Sequence, residues 1–355
     1  MIIQSRLKDY EVIFEQGLEF LQALQKTPNA LFVLDRKVWD LYQPQFAAIP
    51  TGRLVLIDAT EENKVIDTAL SICEKITAIP AKRNATLISV GGGIIQDLTG
   101  FTANITYRGI HWIFVPTTLL AACDSCIGGK TSLNYKRYKN LLGTFYPPDV
   151  IHICPAFFAT LTDRDYRSGL GEVVKFNLMT GEPGLRHMEE DLDKLLARRP
   201  ETVRAYVDSS LRFKKPFIEA DEFDRGERIK LNFAHTFGHA IEVVTRYEIP
   251  HGTAVAIGMI MANSVSVARG LMDPVFAARA EKVLRRVIQV DPALLQGPME
   301  DFLAAMHKDK KQVSDSLTAV LMVCGPEGTE LRLVPDLQPA EVSRAVAHFT
   351  DGIEG

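Results

Sequence analysis

The sequence lacks the features that mark several classes of protein. Only five of its 355 residues are cysteine, a small and odd number that indicates reduced thiols rather than a disulfide framework. No block of basic residues occurs and the net charge is −4, so nothing supports binding to nucleic acid or to an anionic membrane. The amino-terminal stretch has no apolar signal-peptide core, and we find no apolar run of 18 residues. We therefore expect a cytoplasmic protein without a membrane span.

The composition, 46% hydrophobic and 24% charged, is ordinary for a globular protein. The length predicts about two domains. In the first half, near-continuous apolar runs are each followed by a turn and a helical pattern, which is typical of parallel strands buried on both faces. We predict a doubly wound α/β domain over residues 1–160 and an all-α domain over residues 161–355. The predicted strands are Met1–Ile3, Glu11–Phe14, Ala30–Leu34, Leu54–Ile57, Thr86–Val90, His111–Val115 and Val150–Ile153.

Three consecutive glycines, Gly91, Gly92 and Gly93, follow a predicted strand and precede a helical pattern. Glycine allows close approach of the backbone, and a helix start offers free N–H groups, so this arrangement suits a phosphate. A tight strand–helix turn would give the same pattern. Asp97 is expected in the first helical turn. Thr117 and Thr118 end the next strand, where they either contact a ligand or satisfy the backbone of a turn.

The polar stretch from Asp124 to Asn140 reads DSCIGGKTSLNYKRYKN and is expected to form a loop. Lys130 and Lys139 on a glycine-containing loop suit a phosphorylated substrate, although a solvated loop has the same composition. In the second half, Glu172 and Lys175 lie three residues apart, as a surface ion pair would, but their neighbours are apolar.

Three of the eight histidines lie between Leu231 and Gly252. His235 and His239 are four residues apart and would share one face of a helix, and His251 follows a break at Pro250. These histidines are either polar residues satisfied on a partly buried helix or ligands of a divalent metal, for which a third ligand is needed.

Together these segments resemble 3-dehydroquinate synthase and, more widely, the sugar phosphate cyclases. The resemblance runs from Gly91 to Gly252, and a DKK at 309–311 extends it. The motifs that carry it are GGGIIQDLTGF, TYRG, VPTTLLA, DSCIGGKT, KNLLGTFYPP, SGLGEVVKF, RIKLNFAHTFGHAIE and PHG.

The resemblance implies an NAD-binding first domain, a helical second domain, an active site in the cleft between them, and a homodimer. It implies Zn²⁺ or Co²⁺ on Glu172, His235 and His251, which makes His239 a substrate contact instead of a ligand. The implied NAD⁺ contacts are Gly91, Gly92, Gly93, Asp97, Thr117 and Thr118, with Glu61 and Lys64 on the adenosine side and Lys130 and Lys139 nearby.

The same resemblance assigns the substrate contacts. The leaving phosphate would be bound by Lys130, Asn140, His239 and Lys310, with Arg108 offered by the neighbouring subunit. Lys214 and Arg228 would hold a substrate carboxylate, for which a guanidinium fork is well suited. Asp124, Lys175 and Asn232 would contact ring hydroxyls near the metal, and Lys139 would complete the polar wall.

The implied reaction converts 3-deoxy-D-arabino-heptulosonate 7-phosphate to 3-dehydroquinate and phosphate, with catalytic NAD⁺, in the shikimate pathway. Asp224, Gln96 and SLNYKRYKN depart from the usual pattern, which leaves open a related cyclase acting on sedoheptulose 7-phosphate or another sugar phosphate in secondary metabolism. Two further alternatives are a metal-dependent NAD(P) polyol dehydrogenase and a ligand-binding protein on an inactive cyclase scaffold.

Overall fold

The computed structural model of the chain describes residues 1–80, 82–136, 138–308, 316–325 and 328–352. The chain forms two compact units. The amino-terminal unit comprises Met1–Leu161 with Ile218–Phe223, and the carboxy-terminal unit comprises Thr162–Phe217 with Asp224–Gly355. The predicted fold classes are confirmed: the first unit is α/β with a mostly parallel sheet, and the second is mainly helical.

A seven-stranded sheet forms the centre of the amino-terminal unit, and it contains all seven predicted strands. Its strands are β1 (Ile2–Ile3), β2 (Tyr10–Phe14), β3 (Ala30–Asp35), β4 (Leu54–Ile57), β5 (Thr86–Gly91), β6 (His111–Pro116) and β9 (Val150–Ile153). Between β6 and β9 in the chain, β7 (Lys130–Tyr135) and β8 (Tyr138–Phe145) form a separate pair. The spatial order is β1-β2-β9-β6-β5-β3-β4, and every neighbouring pair is parallel except β1–β2. Strand β3 buries every residue from Ala30 to Leu34, as its unbroken apolar run predicts.

The helices of this unit alternate with the strands of the sheet. They are α1 (Phe20–Leu24), α2 (Arg36–Tyr42), α3 (Ile66–Thr77) and α4 (Gly93–Ile105). Helix α4 buries most of its length against the sheet. Because it begins at Gly93, Asp97 is its fifth residue, and the expectation that Asp97 lies in the first turn was wrong.

The segment expected to be a polar loop instead contains an antiparallel pair of strands, β7 (Lys130–Tyr135) and β8 (Tyr138–Phe145). Thr131 and Leu133 are buried at alternate positions of β7, as the two-residue period of a strand requires. A Cβ placed on Gly100 of α4 would approach Thr131 Cγ2 to 2.5 Å, so the glycine leaves room for the strand. The intervening lysines and tyrosines conceal this alternation in the sequence.

The carboxy-terminal unit is a helical assembly with one added pair of strands. Its helices are α5 (Asp163–Leu178), α6 (Glu182–Leu196), α7 (Pro200–Ala220), α8 (His235–Val244), α9 (His251–Ala268), α10 (Pro274–Val287), α11 (Met299–His307) and α12 (Pro339–Asp351). The antiparallel strands are β10 (Leu317–Gly325) and β11 (Gly328–Leu337). The all-helical description therefore omits this pair of strands.

Helix α9 is buried along most of its length and contacts α5, α8, α10 and α12. By length and composition it could also cross a membrane, with a mean hydropathy of 1.3 over 18 residues, but 78% of that window is buried inside the protein. The expectation that no apolar run of this length exists was thus wrong. A helix enclosed by other helices needs apolar residues on all its faces, which explains the composition.

Candidate active site

Three side chains from three helices of the carboxy-terminal unit meet in a buried group, which we call the Glu–His–His cluster: Glu172, His235 and His251. Glu172 Oε1 lies 3.5 Å from His235 Nε2 and 3.6 Å from His251 Nε2. One ligand atom from each residue lies within 4.8 Å of the others, a spacing at which one ion could be held. Two imidazoles and a carboxylate form a donor set of the kind that catalytic Zn²⁺ sites use.

Glycines bring two of these helices into backbone contact next to the cluster. A Cβ on Gly171 would approach the Gly252 carbonyl oxygen to 1.9 Å, and a Cβ on Gly252 would approach the Ser168 carbonyl oxygen to 1.7 Å. The Gly252 N–H also donates to Ser168 Oγ at 3.1 Å. Because each glycine adjoins a member of the cluster in sequence, this contact of α5 with α9 sets Glu172 beside His251.

Hydrogen bonds at the far side of both imidazoles orient them toward Glu172. His235 Nδ1 lies 3.0 Å from the Phe233 carbonyl oxygen, and His251 Nδ1 lies 3.2 Å from Glu242 Oε2. An acceptor at Nδ1 holds the ring N–H there and leaves Nε2 for a cation, as in most metal-binding histidines. The sequence reasoning missed Glu242, although its place in the same TFGHAIE motif was a signal.

The two carboxylates also change the protonation of His251. Burial disfavours the imidazolium, but the charges of Glu242 and Glu172 and their hydrogen bonds outweigh it and raise the pKa of His251 to about 10. Without a cation, a proton therefore supplies the positive charge between the two carboxylates. A metal ion at this position would replace that proton.

Lys175 extends the cluster one helical turn along α5. Its Nζ lies 2.5 Å from Glu172 Oε2 and donates to the Leu231 carbonyl oxygen at 3.1 Å. Lys175 and Glu172 are both almost fully buried, so the alternative of a surface ion pair was wrong. Charges buried at this depth need close partners, and each of these two groups has the other.

His239 lies one turn beyond His235 on α8, as the spacing predicted. Its ring centroid is 5.5 Å from that of His235 and 6.0 Å from that of His251. His239, Glu242 and His251 form a second group whose ligand atoms lie within 4.8 Å of one another. The Glu–His–His cluster is the more buried of the two groups, and Lys175 forms an ion pair with its carboxylate.

In the amino-terminal unit, the ends of β5 and β6 form a concave turn that we call the glycine cradle: Gly91–Gly93 with Thr117 and Thr118. The Thr117 N–H donates to the Gly91 carbonyl oxygen at 2.9 Å and ties the two strand ends together. A Cβ on Gly92 would lie 3.0 Å from Thr118 Cγ2, so a side chain there would fill the cradle. The cradle lies at the carboxyl ends of parallel strands and at the start of α4, where anionic ligands bind in such sheets.

A polar network next to the cradle joins residues predicted for different roles. Lys64 Nζ lies 2.5 Å from Asp97 Oδ2 and 2.7 Å from Asn140 Oδ1. Ser132 Oγ lies 3.1 Å from the same Asp97 oxygen and 2.9 Å from Asn140 Oδ1. Burial raises the pKa of Asp97, and Lys64 opposes that effect. Ser132, on β7, was missed because its segment was expected to be a loop.

A second network links the same strand pair to Glu61. Asn134 Nδ2 donates to Glu61 Oε2 at 2.8 Å, and the Asn140 N–H donates to Asn134 Oδ1 at 2.9 Å. Lys139 Nζ lies 3.7 Å from Glu61 Oε1. The structure thus places Glu61 near Lys139 and bonds it to Asn134, a residue that the sequence reasoning did not single out.

The remaining predicted residues lie on several different elements of the fold. Lys214 on α7 and Arg228 are both almost fully buried, at 6% and 4% exposure, whereas Lys130 at the start of β7 is exposed. Asp124 lies in a π-helical turn, Ala121–Ser125, and Gln96 is bonded to Ser125 of that turn through both ends of its amide. Arg108 is exposed with a positive φ of 68°, Asn232 ends a 3₁₀ turn, and Lys310 lies outside the described residues.

Known proteins are similar to this chain along most of its length. Residues 54–168 match the model of the 3-dehydroquinate synthase amino-terminal domain, and residues 169–312 match that of its carboxy-terminal domain. The 3-dehydroquinate synthase of Dictyoglomus turgidum is 32% identical over 340 residues, covering 91% of this chain and 94% of that protein. The 3-dehydroquinate synthase of Acidithiobacillus ferrooxidans is 36% identical over 314 residues, covering 85% and 84%.

A solved structure extends the similarity to three dimensions. The 2-epi-5-epi-valiolone synthase of Streptomyces hygroscopicus subsp. jinggangensis, with NAD⁺ and Zn²⁺ bound, superposes with a TM-score of 0.84 at 26% identity, covering 98% of this chain and 99% of that one. The family models place the glycine cradle in the first matched domain and the Glu–His–His cluster in the second. The chain belongs to the 3-dehydroquinate synthase family.

Proposed function

We propose that the protein is a 3-dehydroquinate synthase, which converts 3-deoxy-D-arabino-heptulosonate 7-phosphate to 3-dehydroquinate and inorganic phosphate with catalytic NAD⁺ and a divalent metal. The observation that carries the proposal is the buried Glu–His–His cluster with oriented imidazoles, in a chain 32–36% identical to curated 3-dehydroquinate synthases over most of its length. The proposed domains are residues 1–160 for NAD⁺ and 161–355 for metal and substrate.

Glu172, His235 and His251 would hold the metal, Zn²⁺ or Co²⁺. When bound, the metal would supply Lewis-acid polarisation of a substrate oxygen. Glu242 and the Phe233 carbonyl would keep the two Nε2 atoms directed at it. Lys175 would offset the charge of Glu172 and present its ammonium group beside the substrate hydroxyls, together with Asp124 and Asn232.

The glycine cradle would hold NAD⁺, with Asp97 and Lys64 beside it. Lys139 on β8 and its neighbour Glu61 would lie further from the cradle, on the adenosine side. NAD⁺ bound there would supply reversible hydride transfer at a ring carbon that bears a hydroxyl group, so that the overall reaction consumes no oxidant. The Lys64–Asp97 pair would fix the side chains that face the cofactor, since each charge is neutralised by the other.

The leaving phosphate would be bound by Lys130, Asn140, His239 and Lys310 and by Arg108 from a second subunit. This arrangement requires a homodimer, because Arg108 would enter the site from the second subunit. Arg108 is exposed in the turn after α4, which is compatible with that role. Lysine and arginine groups around a phosphate stabilise the negative charge that grows as the C–O bond breaks. The bond between Asn140 and Lys64 links this phosphate group to the cofactor side.

Lys214 and Arg228 would bind the substrate carboxylate. Both are almost fully buried. A guanidinium group can bind a carboxylate through paired hydrogen bonds. This pair supports 3-deoxy-D-arabino-heptulosonate 7-phosphate over sedoheptulose 7-phosphate, which has no carboxylate.

A phosphate-release assay tests the proposal directly. Purified protein with NAD⁺ and Zn²⁺ should release phosphate from 3-deoxy-D-arabino-heptulosonate 7-phosphate. The absorbance at 340 nm should not change, because no NADH accumulates. Release only from sedoheptulose 7-phosphate would refute the substrate and keep the reaction type. Net NADH production from a simple polyol would refute the cyclase. Loss of activity in Glu172→Ala with an unchanged circular dichroism spectrum would exclude an inactive binding scaffold.

We also infer that the protein acts in the cytoplasm. Its five cysteines are thiols, and four of them are buried. Reduced cysteines suit a compartment kept reducing by cellular thiols. Fractionation of the native cell with an activity assay tests this inference, and recovery of the activity outside the cytoplasm would refute it.

A further inference from the structure

A cavity of about 380 Å³ lies in the carboxy-terminal unit, and none of its lining residues belongs to the proposed active site. Its walls come from α9, α10 and α12. Asn263 of α9 follows His251 by twelve residues, which is about 18 Å along a helix at 1.5 Å per residue. The cavity is therefore separated from the Glu–His–His cluster by several helical turns.

Small and apolar side chains form most of the wall. Ile260, Val267, Pro274 and Ala277 contribute to it, and the alanine side chain occupies little space. A volume of this size lies at the lower end of the range for small-molecule sites.

Neighbouring side chains engage the one carboxylate of the lining, that of Glu281. Glu281 Oε2 lies 2.8 Å from His348 Nε2, and Glu281 Oε1 lies 2.5 Å from an Arg285 nitrogen. Both carboxylate oxygens are thus engaged by neighbouring cationic or donor groups. The lining offers no uncompensated charge of this carboxylate to a ligand, so an uncharged ligand fits it best.

Asn263 is the polar group of the wall that lacks a partner. It is 3% exposed, and neither Nδ2 nor Oδ1 has a hydrogen-bond partner among the described residues. Leaving both ends of a buried amide unpaired is unfavourable, and such groups usually bind a ligand or ordered water. A primary amide presents an acceptor oxygen and a donor NH₂ side by side.

We propose that this cavity binds a small uncharged molecule with an apolar body and a carboxamide or lactam edge that pairs with the Asn263 amide. The edge of such a ligand offers one donor and one acceptor in the spacing that the side chain requires. The apolar body would occupy the space beside Ala277. This inference does not depend on the proposed function, because no residue of the cavity takes part in it.

Benzamide is a suitable probe, used on the full chain with saturating NAD⁺ and Zn²⁺ so that the cofactor site is filled. Acetophenone has the same ring and a carbonyl without the donor. We expect benzamide in the cavity in a soaked crystal, and at least fivefold tighter binding of benzamide than of acetophenone by ligand-observed NMR. Equal binding of the two probes, or only ordered water on Asn263 at saturating benzamide, would overturn the proposal.

Two variants and a matched control complete the test. Asn263→Leu should weaken benzamide at least tenfold, and Ala277→Phe, which fills the cavity from its partly exposed side, should do the same. Ser266→Ala is the control, because Ser266 Oγ is equally buried without a partner among the described residues but does not line the cavity. Binding should be unchanged in the control. Full binding in both cavity variants would refute the site even if one of them folded poorly.

Discussion

Glu242→Gln tests whether the metal site depends on the orientation of His251. Glu242 Oε2 lies 3.2 Å from His251 Nδ1, so the substitution keeps a side chain of the same size and removes the charge that holds the ring N–H. Loss of such an outer carboxylate typically reduces metal affinity tenfold to a hundredfold. That range corresponds to about 1.4–2.8 kcal/mol, at about 1.4 kcal/mol per factor of ten.

Competition with a chromophoric chelator measures the effect, since it reports the affinity for Zn²⁺ without requiring turnover. Glu248→Gln is the matched control, because Glu248 is an exposed glutamate between α8 and α9 that makes no side-chain contact with the cluster. Phosphate release should fall in parallel with the affinity and recover at high Zn²⁺. An affinity for Zn²⁺ in Glu242→Gln equal to that of the control would refute the orienting role.

Four further predictions follow from the same structure. Gly171→Ala should lower the free energy of unfolding by about 1–3 kcal/mol, because its Cβ would overlap the Gly252 carbonyl oxygen; a denaturation midpoint equal to that of the parent would contradict this. Removing the metal with a chelator should abolish phosphate release and Zn²⁺ or Co²⁺ should restore it, whereas activity in the metal-free protein would count against the cluster. Arg228→Met should raise KM for the carboxylate-bearing substrate at least tenfold, or about 1.4 kcal/mol, and an unchanged KM would remove Arg228 from carboxylate binding. Hydrogen bonding to Arg269 lowers the pKa of Glu341 below its ordinary value of 4.5, so the pair stabilises the fold above pH 4.5 and loses that effect as the pH falls through the lowered pKa; the thermal midpoint of Glu341→Gln should lie below that of the parent at pH 7 and converge with it in acid, and a constant difference would disprove the linkage.

The sheet and the helices of the fold were predictable because their apolar patterns are strong. Strand β3 is apolar from Ala30 to Leu34, and the burial of these residues follows from that run. The pair β7–β8 was not predictable in the same way, because Thr131 and Leu133 are its inward residues while lysines and tyrosines surround them. A strand with one short buried face and many polar residues has the composition of a loop.

The residues of the candidate site were easier to predict than the hydrogen bonds that orient them. The spacing of His235 and His239 gave the shared helix face, and the family resemblance supplied Glu172 and His251. Spacing alone would have paired His235 with His239, because residues on different helices leave no periodic signal. The orienting role of Glu242 depends on how α8 and α9 approach each other, which no local pattern reports.

Hydrogen-bond networks between residues that are distant in the sequence could not be predicted either. Lys64 and Asn140 are 76 residues apart, yet their side chains lie 2.7 Å apart beside Asp97. The sequence assigns Lys64 to the cofactor and Asn140 to the leaving phosphate. In the structure the two side chains are hydrogen-bonded to each other. A substitution of either residue is therefore expected to disturb both groups.

The contact between Gly171 and Gly252 limits how the proposed metal site can be re-engineered. Main chain touches main chain there, so the separation of α5 from α9 has no side chain whose size could be adjusted. Replacing core residues nearby would not widen the space between Glu172 and His251. A design that aims at a larger or differently coordinated ion must change the ligands themselves, for example by shortening the carboxylate, and must leave both glycines in place.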